Sequence, residues 1–438
     1  MVIKKQYIMS LSLFLFLLSK GYSKNPIIIV PMMYGTNLYV TYDHADQLSW
    51  YCPKHEDHEL IWINRKYFVL PLYNCFFQLL TNYFDNETKT YLDFPNTTIT
   101  IPEFGSEEGV KYIDYGLFKN FHLHNSLVTF FDFLRDKGYE SKKNMFVAPY
   151  DWRLAPLGVP KFWPSIIKLI EDAYEKNDEE KVILYGFSCG GSLLIRLLSK
   201  YVTPEWKEKY IKKVILLAPS FGGTGDSIDS IYNTYSPLFF IFKNRYVKES
   251  ASHFPVTHCH LLNHIIYDFP VIVSPEKNYT ASQVPLALRE NHRIPEDAQD
   301  MVNYCAEEYT SKPTPYTGVR TYLIFNTKIK TKLGLNYSLG LNNEKHEFLY
   351  SGGDGTIPEG SMKWACKNWD TSKAALTCID INQSDPNAFI HASMGVNSAV
   401  YKLIYKLIEN DETKDSGTEM IELPEIKNVK DPNIEFEL

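Results

Sequence analysis

The segment Val182-Ile183-Leu184-Tyr185-Gly186-Phe187-Ser188-Cys189-Gly190-Gly191-Ser192-Leu193-Leu194-Ile195 constrains the fold of this chain more than any other. An apolar run of strand type leads into Gly-x-Ser-x-Gly, and apolar residues at helical spacing follow. The glycines let strand and helix pass close together, while the serine is held in a strained turn that pushes its hydroxyl out at the helix N-terminus. The bland alternative is a glycine-rich turn around an ordinary serine. Only a buried strand feeding directly into a helix supplies the first geometry, so the segment points to an α/β architecture.

The rest of the chain agrees. Short β-rich runs stand at 27–30, 145–148, 182–185, 214–217, 321–325 and 377–381, and 127–134, 166–174, 193–201 and 400–408 carry helical periods between them. Strands that alternate with helices predict a mostly parallel sheet covered on both faces. Two stretches break the alternation: 41–120, rich in aromatics and Asn, and 225–318, which holds the apolar run Pro237 to Phe242. Both read as insertions capping a core sheet. No repeat of twenty to fifty residues is present. With 438 residues, 45% of them hydrophobic and 22% charged, the chain has ample core and is neither disordered nor fibrous.

A serine hydroxyl is a poor nucleophile until a base takes its proton, so an acid and then a histidine are expected downstream. Asp354 stands in Ser351-Gly352-Gly353-Asp354-Gly355-Thr356, beyond the strand at 321–325. His391 follows the strand at 377–381 and precedes the last helix. The alternatives are a turn aspartate beside glycines and a capping or core histidine. Four other histidines, His253, His258, His260 and His264, surround Cys259, but no second ligand pair follows and no metal site is expected.

Charge and cysteine usage narrow the setting. The formal charge is 45 − 52 = −7, and the last thirty residues alone carry that −7, so no segment offers the basic surplus a nucleic-acid binder needs. That acidic tail is expected to be loosely attached. Lys4 and Lys5 precede the apolar run Ile8 to Leu18 and the small residues Ser19, Gly21 and Ser23, the order of a secretory signal cleaved near Ser23. An uncleaved anchor is the alternative, since Lys20 and Lys24 lie just beyond. Sequons at Asn86, Asn96, Asn278, Asn336 and Asn382 fit a secretory route. Seven cysteines allow three bridges and one free thiol; the most local pairings are Cys52 with Cys75, Cys259 with Cys305 and Cys366 with Cys378, leaving Cys189. Spacing alone does not decide the connectivity.

Six motifs fall in one order: Ala148-Pro149-Tyr150-Asp151-Trp152-Arg153-Leu154, Gly186-Phe187-Ser188-Cys189-Gly190, Ala218-Pro219-Ser220-Phe221-Gly222-Gly223, Asn278-Tyr279-Thr280, Gly353-Asp354-Gly355-Thr356 and His391. In these the chain resembles the lecithin:cholesterol acyltransferase family, which includes the lysosomal phospholipase A that also makes acylceramide, over about residues 27–408. The resemblance implies an α/β-hydrolase fold: a mostly parallel central sheet with cap, lid and membrane-binding insertions. It puts Ser188, Asp354 and His391 on the family's nucleophile, acid and base. Pro31-Met32-Met33-Tyr34-Gly35 matches the loop whose third residue gives a backbone N–H to the oxyanion, so Met33 and Cys189 are the expected donors, with Met32 replacing a family glycine. Phe187 replaces the histidine usual beside the serine and is expected to pack. Trp62, between Cys52 and Cys75, matches the family's tryptophan that touches lipid and acyl chain; a core tryptophan is the bland alternative. Leu238, Phe239, Phe240 and Phe242 lie where the family has a mobile lid, with a buried cap strand as the alternative. One family disulfide is absent, because Tyr322-Leu323-Ile324 has no cysteine; Cys366 is therefore expected to pair with Cys378.

The organisation this implies is a signal at 1–23, first strand and oxyanion loop at 24–40, lipid-contact insertion at 41–120, core with the nucleophile at 121–224, cap and lid at 225–318, core with acid and base at 319–408, and acidic tail at 409–438. The implied activity is cleavage of a phospholipid acyl ester through acyl-Ser188, with delivery to water or a lipid alcohol. A dedicated O-acyltransferase to sterol, diacylglycerol or ceramide, and an inactive lipid-binding protein on the same fold, are the alternatives. A monomer without metal or cofactor, secreted or lysosomal and working on a phospholipid membrane or lipoprotein-like surface, is expected.

Overall fold

A parallel strand covered on both sides is apolar along its whole length, and six strands of the core meet that description. They are β1 (Ile27–Val30), β2 (Met145–Val147), β3 (Val182–Phe187), β4 (Ile211–Leu217), β5 (Thr321–Phe325) and β6 (Leu376–Asp380), buried almost throughout. The computed structural model describes residues 24–112, 127–233, 250–343, 345–410, 416–426 and 435–436. In it these strands and β7 (Thr418–Glu422) form one seven-stranded sheet in the order β7-β6-β5-β4-β3-β1-β2, every neighbouring pair parallel. Such a sheet, with helices on both faces, is the α/β-hydrolase architecture expected above.

Alternate side chains of each strand serve opposite faces. Ile28, Val30, Leu184, Leu216 and Leu323 face one core with α2 (Phe162–Lys176) and α3 (Cys189–Arg196). Ile27, Ile29, Tyr185, Leu217 and Ile324 face the other with α1 (Val128–Asp136) and α4 (Ser398–Glu409). A third cluster around Ile228, Tyr232, Val271 and Leu335 holds the cap together.

Two expectations need correction. The acidic tail is not simply loose: Thr418–Glu422 pairs with β6 as an edge strand in which Thr418, Met420 and Glu422 are exposed and Glu419 and Ile421 are half-buried. Charged side chains on an edge strand also block further pairing, which explains how an acidic segment serves there. The cap does not end at 318 either, because its four-stranded sheet draws in Thr331–Asn336 and Glu347–Ser351. The signal expected at 1–23 and the lid residues Leu238, Phe239, Phe240 and Phe242 lie outside the described residues.

The structure pairs Cys52 with Cys75, Cys259 with Cys305 and Cys366 with Cys378, and leaves Cys189 as a buried free thiol. Three disulfides fit an oxidising, secretory setting. Among the sequons, Asn86, Asn96 and Asn278 are exposed and Asn336 is half-buried. Asn382 is turned inward, its amide nitrogen donating to the Leu423 carbonyl at 3.1 Å. No helix among the described residues is long and apolar enough to cross a membrane.

Candidate active site

At the end of β3 the chain turns sharply into α3, and Ser188 takes the turn with φ +55° and ψ −122°. A non-glycine residue at positive φ is strained, and neighbours must hold it there. Its N–H donates to the Leu217 carbonyl of β4 at 2.9 Å. The flanking glycines remove side chains that would force strand and helix apart. A Cβ on Gly190 would lie 2.3 Å from the Val30 carbonyl oxygen, and one on Gly186 2.7 Å from the Gly191 Cα.

Asp354 follows the cap strand Glu347–Ser351, in a loop whose Gly355 at φ +91° donates its N–H to Thr331 Oγ1. One carboxylate oxygen accepts from the N–H groups of Thr356 and Ile357 at 3.0 and 2.6 Å. The other is 2.7 Å from His391 Nδ1. The His391 N–H donates to the Asp354 carbonyl at 2.7 Å, so backbone and side chain both register the histidine against the acid. His391 Nε2 then reaches Ser188 Oγ at 2.8 Å. With Nδ1–H donated to a carboxylate, Nε2 carries the lone pair and accepts from the serine hydroxyl. Such a chain can draw a proton from Ser188 and return it to a leaving group. Phe187 packs on the imidazole, ring centroids 5.1 Å apart, in place of any polar contact.

Of the two expected oxyanion donors, Cys189 directly follows this serine, and Met33 lies in the loop after β1, the strand that pairs with β3. Cys189 opens α3, where helix N–H groups lack intrahelical partners. Its thiol is pushed up to about 12 by burial, so it stays protonated. Met33 lies in a turn closed by the Gly35 N–H on the Met32 carbonyl at 3.0 Å. Two side chains brace that loop. The Tyr150 hydroxyl donates to Pro31 O at 3.0 Å, and the Trp62 indole N–H donates to Tyr34 O at 2.9 Å.

Trp62 lies where the core alternative puts it: it is fully buried, within 4.7 to 6.1 Å of the Tyr34, Trp152 and Phe76 rings. The strand His55–Trp62 is exposed at its start and runs into the core at Ile61 and Trp62. Among the described residues of this insertion the exposed large apolar side chains are Trp50 at 87%, Leu70 at 72%, Val69 at 63% and Leu92 at 55%.

Sequence reasoning missed three neighbours. Arg153 is fully buried, bridged to Asp151 and Asp93 at 2.6 and 2.7 Å, and donates to Leu80 O, so it locks the first insertion to the core. The Ala-Pro-Tyr-Asp-Trp-Arg string contained that signal, because a chain seldom buries an arginine without a carboxylate partner. Tyr150 in the same string braces the oxyanion loop. Asp226, in the first turn of Gly225–Asn233, pairs with Lys332 at 3.1 Å; burial holds its carboxyl above the ordinary value, against the pull of Lys332. Nothing local in the sequence marks that pair.

The histidines around Cys259 do not gather on a metal. Cys259 is disulfide-bonded, His258 Nε2 donates to Ser252 O at 2.6 Å, and His260 bridges Ser220 Oγ and Val256 O, both at 2.7 Å. No group of three potential ligands occurs among the described residues.

The seven-stranded sheet with its Ser188 elbow defines a protein of the α/β-hydrolase class. The model of the lecithin:cholesterol acyltransferase family matches residues 58–267, a span that contains the elbow. "Lecithin-cholesterol acyltransferase-like 1" of Arabidopsis thaliana is 26% identical over 89% of this chain and 90% of its own. Phosphatidylcholine-sterol acyltransferase of Gallus gallus is 25% identical over 79% and 82%, and lysosomal phospholipase A and acyltransferase of Bos taurus 25% over 76% and 81%. The chain is similar to these proteins over most of its length.

Proposed function

We propose that this enzyme moves a fatty acyl group from a phospholipid ester to water or a lipid alcohol through an acyl-Ser188 intermediate. The observation that carries the reading is the continuous relay from Asp354 through His391 to Ser188, with contacts of 2.7 and 2.8 Å. Ser188 Oγ attacks the ester carbonyl carbon while His391 Nε2 takes its proton. The carbonyl oxygen gains charge toward the Met33 and Cys189 N–H groups, where each such donor typically contributes about 3 kcal/mol. His391 gives the proton to the departing lysolipid alcohol, and the acyl group remains on Ser188. Water or a lipid alcohol then attacks, and the same histidine relays its proton back. Asp354 holds the imidazole tautomer and stabilises the imidazolium. The relatives named as acyltransferases and as a phospholipase A support acyl transfer on lipids.

We place the work at a phospholipid surface, with Trp50, Val69 and Leu70 as the docking groups, since large apolar side chains in water are otherwise unfavourable. The secretory route is supported by the three disulfides.

The test is incubation with mixed phospholipid vesicles, with and without a long-chain alcohol, followed by analysis of lysolipid, fatty acid and acylated alcohol. Ser188→Ala is expected to fold, to lose fluorophosphonate labelling and to reduce turnover on the order of a millionfold. Labelling of the Ala variant at the wild-type level would remove Ser188 from the role of nucleophile.

A further inference from the structure

A cleft of about 280 Å³ runs along α3 from Ser192 through Ile195 and Arg196 and on to Lys200 beyond the helix end. Arg196, Lys200 and Lys312 line it, and Glu308 is its one carboxylate, so its ionised groups sum to +3 − 1 = +2. Glu308 is already taken by Lys312 at 3.0 Å. The remaining cations repel one another: Arg196 in the first place, then desolvation, holds the Lys200 ammonium below its ordinary value. The Arg196 Nε is buried without a hydrogen-bond partner among the described residues. A buried charged donor left unmade is costly, and the fold keeps it.

The backbone around the cleft is unusual as well. Both π-helices of the described residues lie there: Leu197–Tyr201, which continues α3 and carries Lys200, and Ala306–Thr310, which carries Glu308. Single π turns are rare and occur frequently at functional sites, because the extra residue re-aims side chains toward one point.

We propose that this cleft binds a phosphate-type dianion, with Arg196 as the forked donor and Lys200 and Lys312 as point charges. A guanidinium matches phosphate oxygens two at a time, and a dianion neutralises the +2 of the site. The volume lies at the lower limit of small-ligand pockets and suits a phosphate group better than a whole lipid. The site is separate from the Ser188 chemistry and does not rest on it.

The experiment is a titration of the full chain with inorganic phosphate at constant ionic strength, read by calorimetry and by the thermal midpoint. Saturable binding is expected, weakened at least tenfold in Arg196→Gln and several-fold in Lys312→Gln, whose exposed side chain makes the change safe for folding. A midpoint that rises equally in wild type and both variants would be a general salting effect and would overturn the site, as would the absence of saturation. Phosphatidylcholine vesicles with and without phosphatidic acid separate the sources. Extra binding that depends on Arg196 identifies a lipid phosphomonoester; saturable phosphate binding without it identifies a soluble anion. Both outcomes uphold the cleft as the anion site.

Discussion

At the scale of single residues, the chemistry was more legible than its support. Ser188 announced itself because an elbow needs local glycines, and local patterns survive in a linear sequence. Asp354 and His391 followed from the order in which a strand, an acid and a base must come. The oxyanion brace was illegible, since the Trp62 indole and Tyr34 carbonyl meet only after a strand from the insertion runs into the core. Trp62→Phe tests the brace. A smaller phenyl ring keeps only part of the packing against Trp152, and one neutral hydrogen bond worth about 1 kcal/mol is lost. A severalfold fall in kcat on a soluble ester is expected, with KM nearly unchanged and the thermal midpoint within a few degrees. A variant that loses vesicle binding instead, with full activity on that ester, would return Trp62 to the lipid surface.

At the scale of elements, six core strands were read correctly because continuous apolar runs leave few choices. The seventh escaped: its charges hide a two-residue alternation that only pairing with β6 reveals. The insertions were legible as interruptions, and what ties them to the sheet was not. Arg153 provides one tie, joining Asp151 beside the core to Asp93 of the strand Thr90–Asp93 and to Leu80 at the end of Leu72–Leu80. Removing one partner of a buried ion pair leaves charge uncompensated and typically costs about 3 to 5 kcal/mol. Arg153→Leu should therefore lower the unfolding free energy read from urea titration by that order and make the segment around Leu80 and Asp93 exchange its amide protons faster. Arg153→Lys should recover little, since one ammonium does not reproduce a fork that reaches three acceptors. Unchanged exchange in both variants would show that the insertion is held by its apolar contacts alone.

At the scale of the whole molecule, the response of the fold to falling pH follows from its buried histidines. Burial holds His258 and His260 from an ordinary 6.5 down to about 4, and the Ser252 and Val256 carbonyls only partly oppose it. Between those values the unfolded chain binds protons that the folded chain refuses, so stability is full above about 6.5 and falls as pH drops toward 4. At pH 5 each histidine accounts for a loss of about 2 kcal/mol. Asp226 and Asp380, pushed up by burial, act in the opposite sense and offset part of it. The urea midpoint should fall between pH 7.5 and 5, and His260→Gln should flatten that slope. A midpoint constant across this range would contradict the assignment.

Docking on lipid belongs to the same scale, because it concerns what the molecule leaves uncovered. Trp50 stands two residues before Cys52, while Val69 and Leu70 lie inside the loop that the Cys52–Cys75 bridge closes. Moving a large apolar side chain from water into an apolar layer contributes roughly 1.5 to 3 kcal/mol. Trp50→Ser is expected to weaken binding to phosphatidylcholine vesicles by about tenfold to a hundredfold, and Leu70→Ser by a comparable factor. Neither side chain is buried, so the thermal midpoint and the hydrolysis of a short soluble ester should stay at the wild-type level. Activity on vesicles should fall with binding and recover at high lipid concentration, since a docking defect is overcome by mass action and a chemical defect is not. Persistent loss at saturating lipid would mean that Trp50 reaches the acyl group during turnover, and would move it from the docking surface to the substrate path.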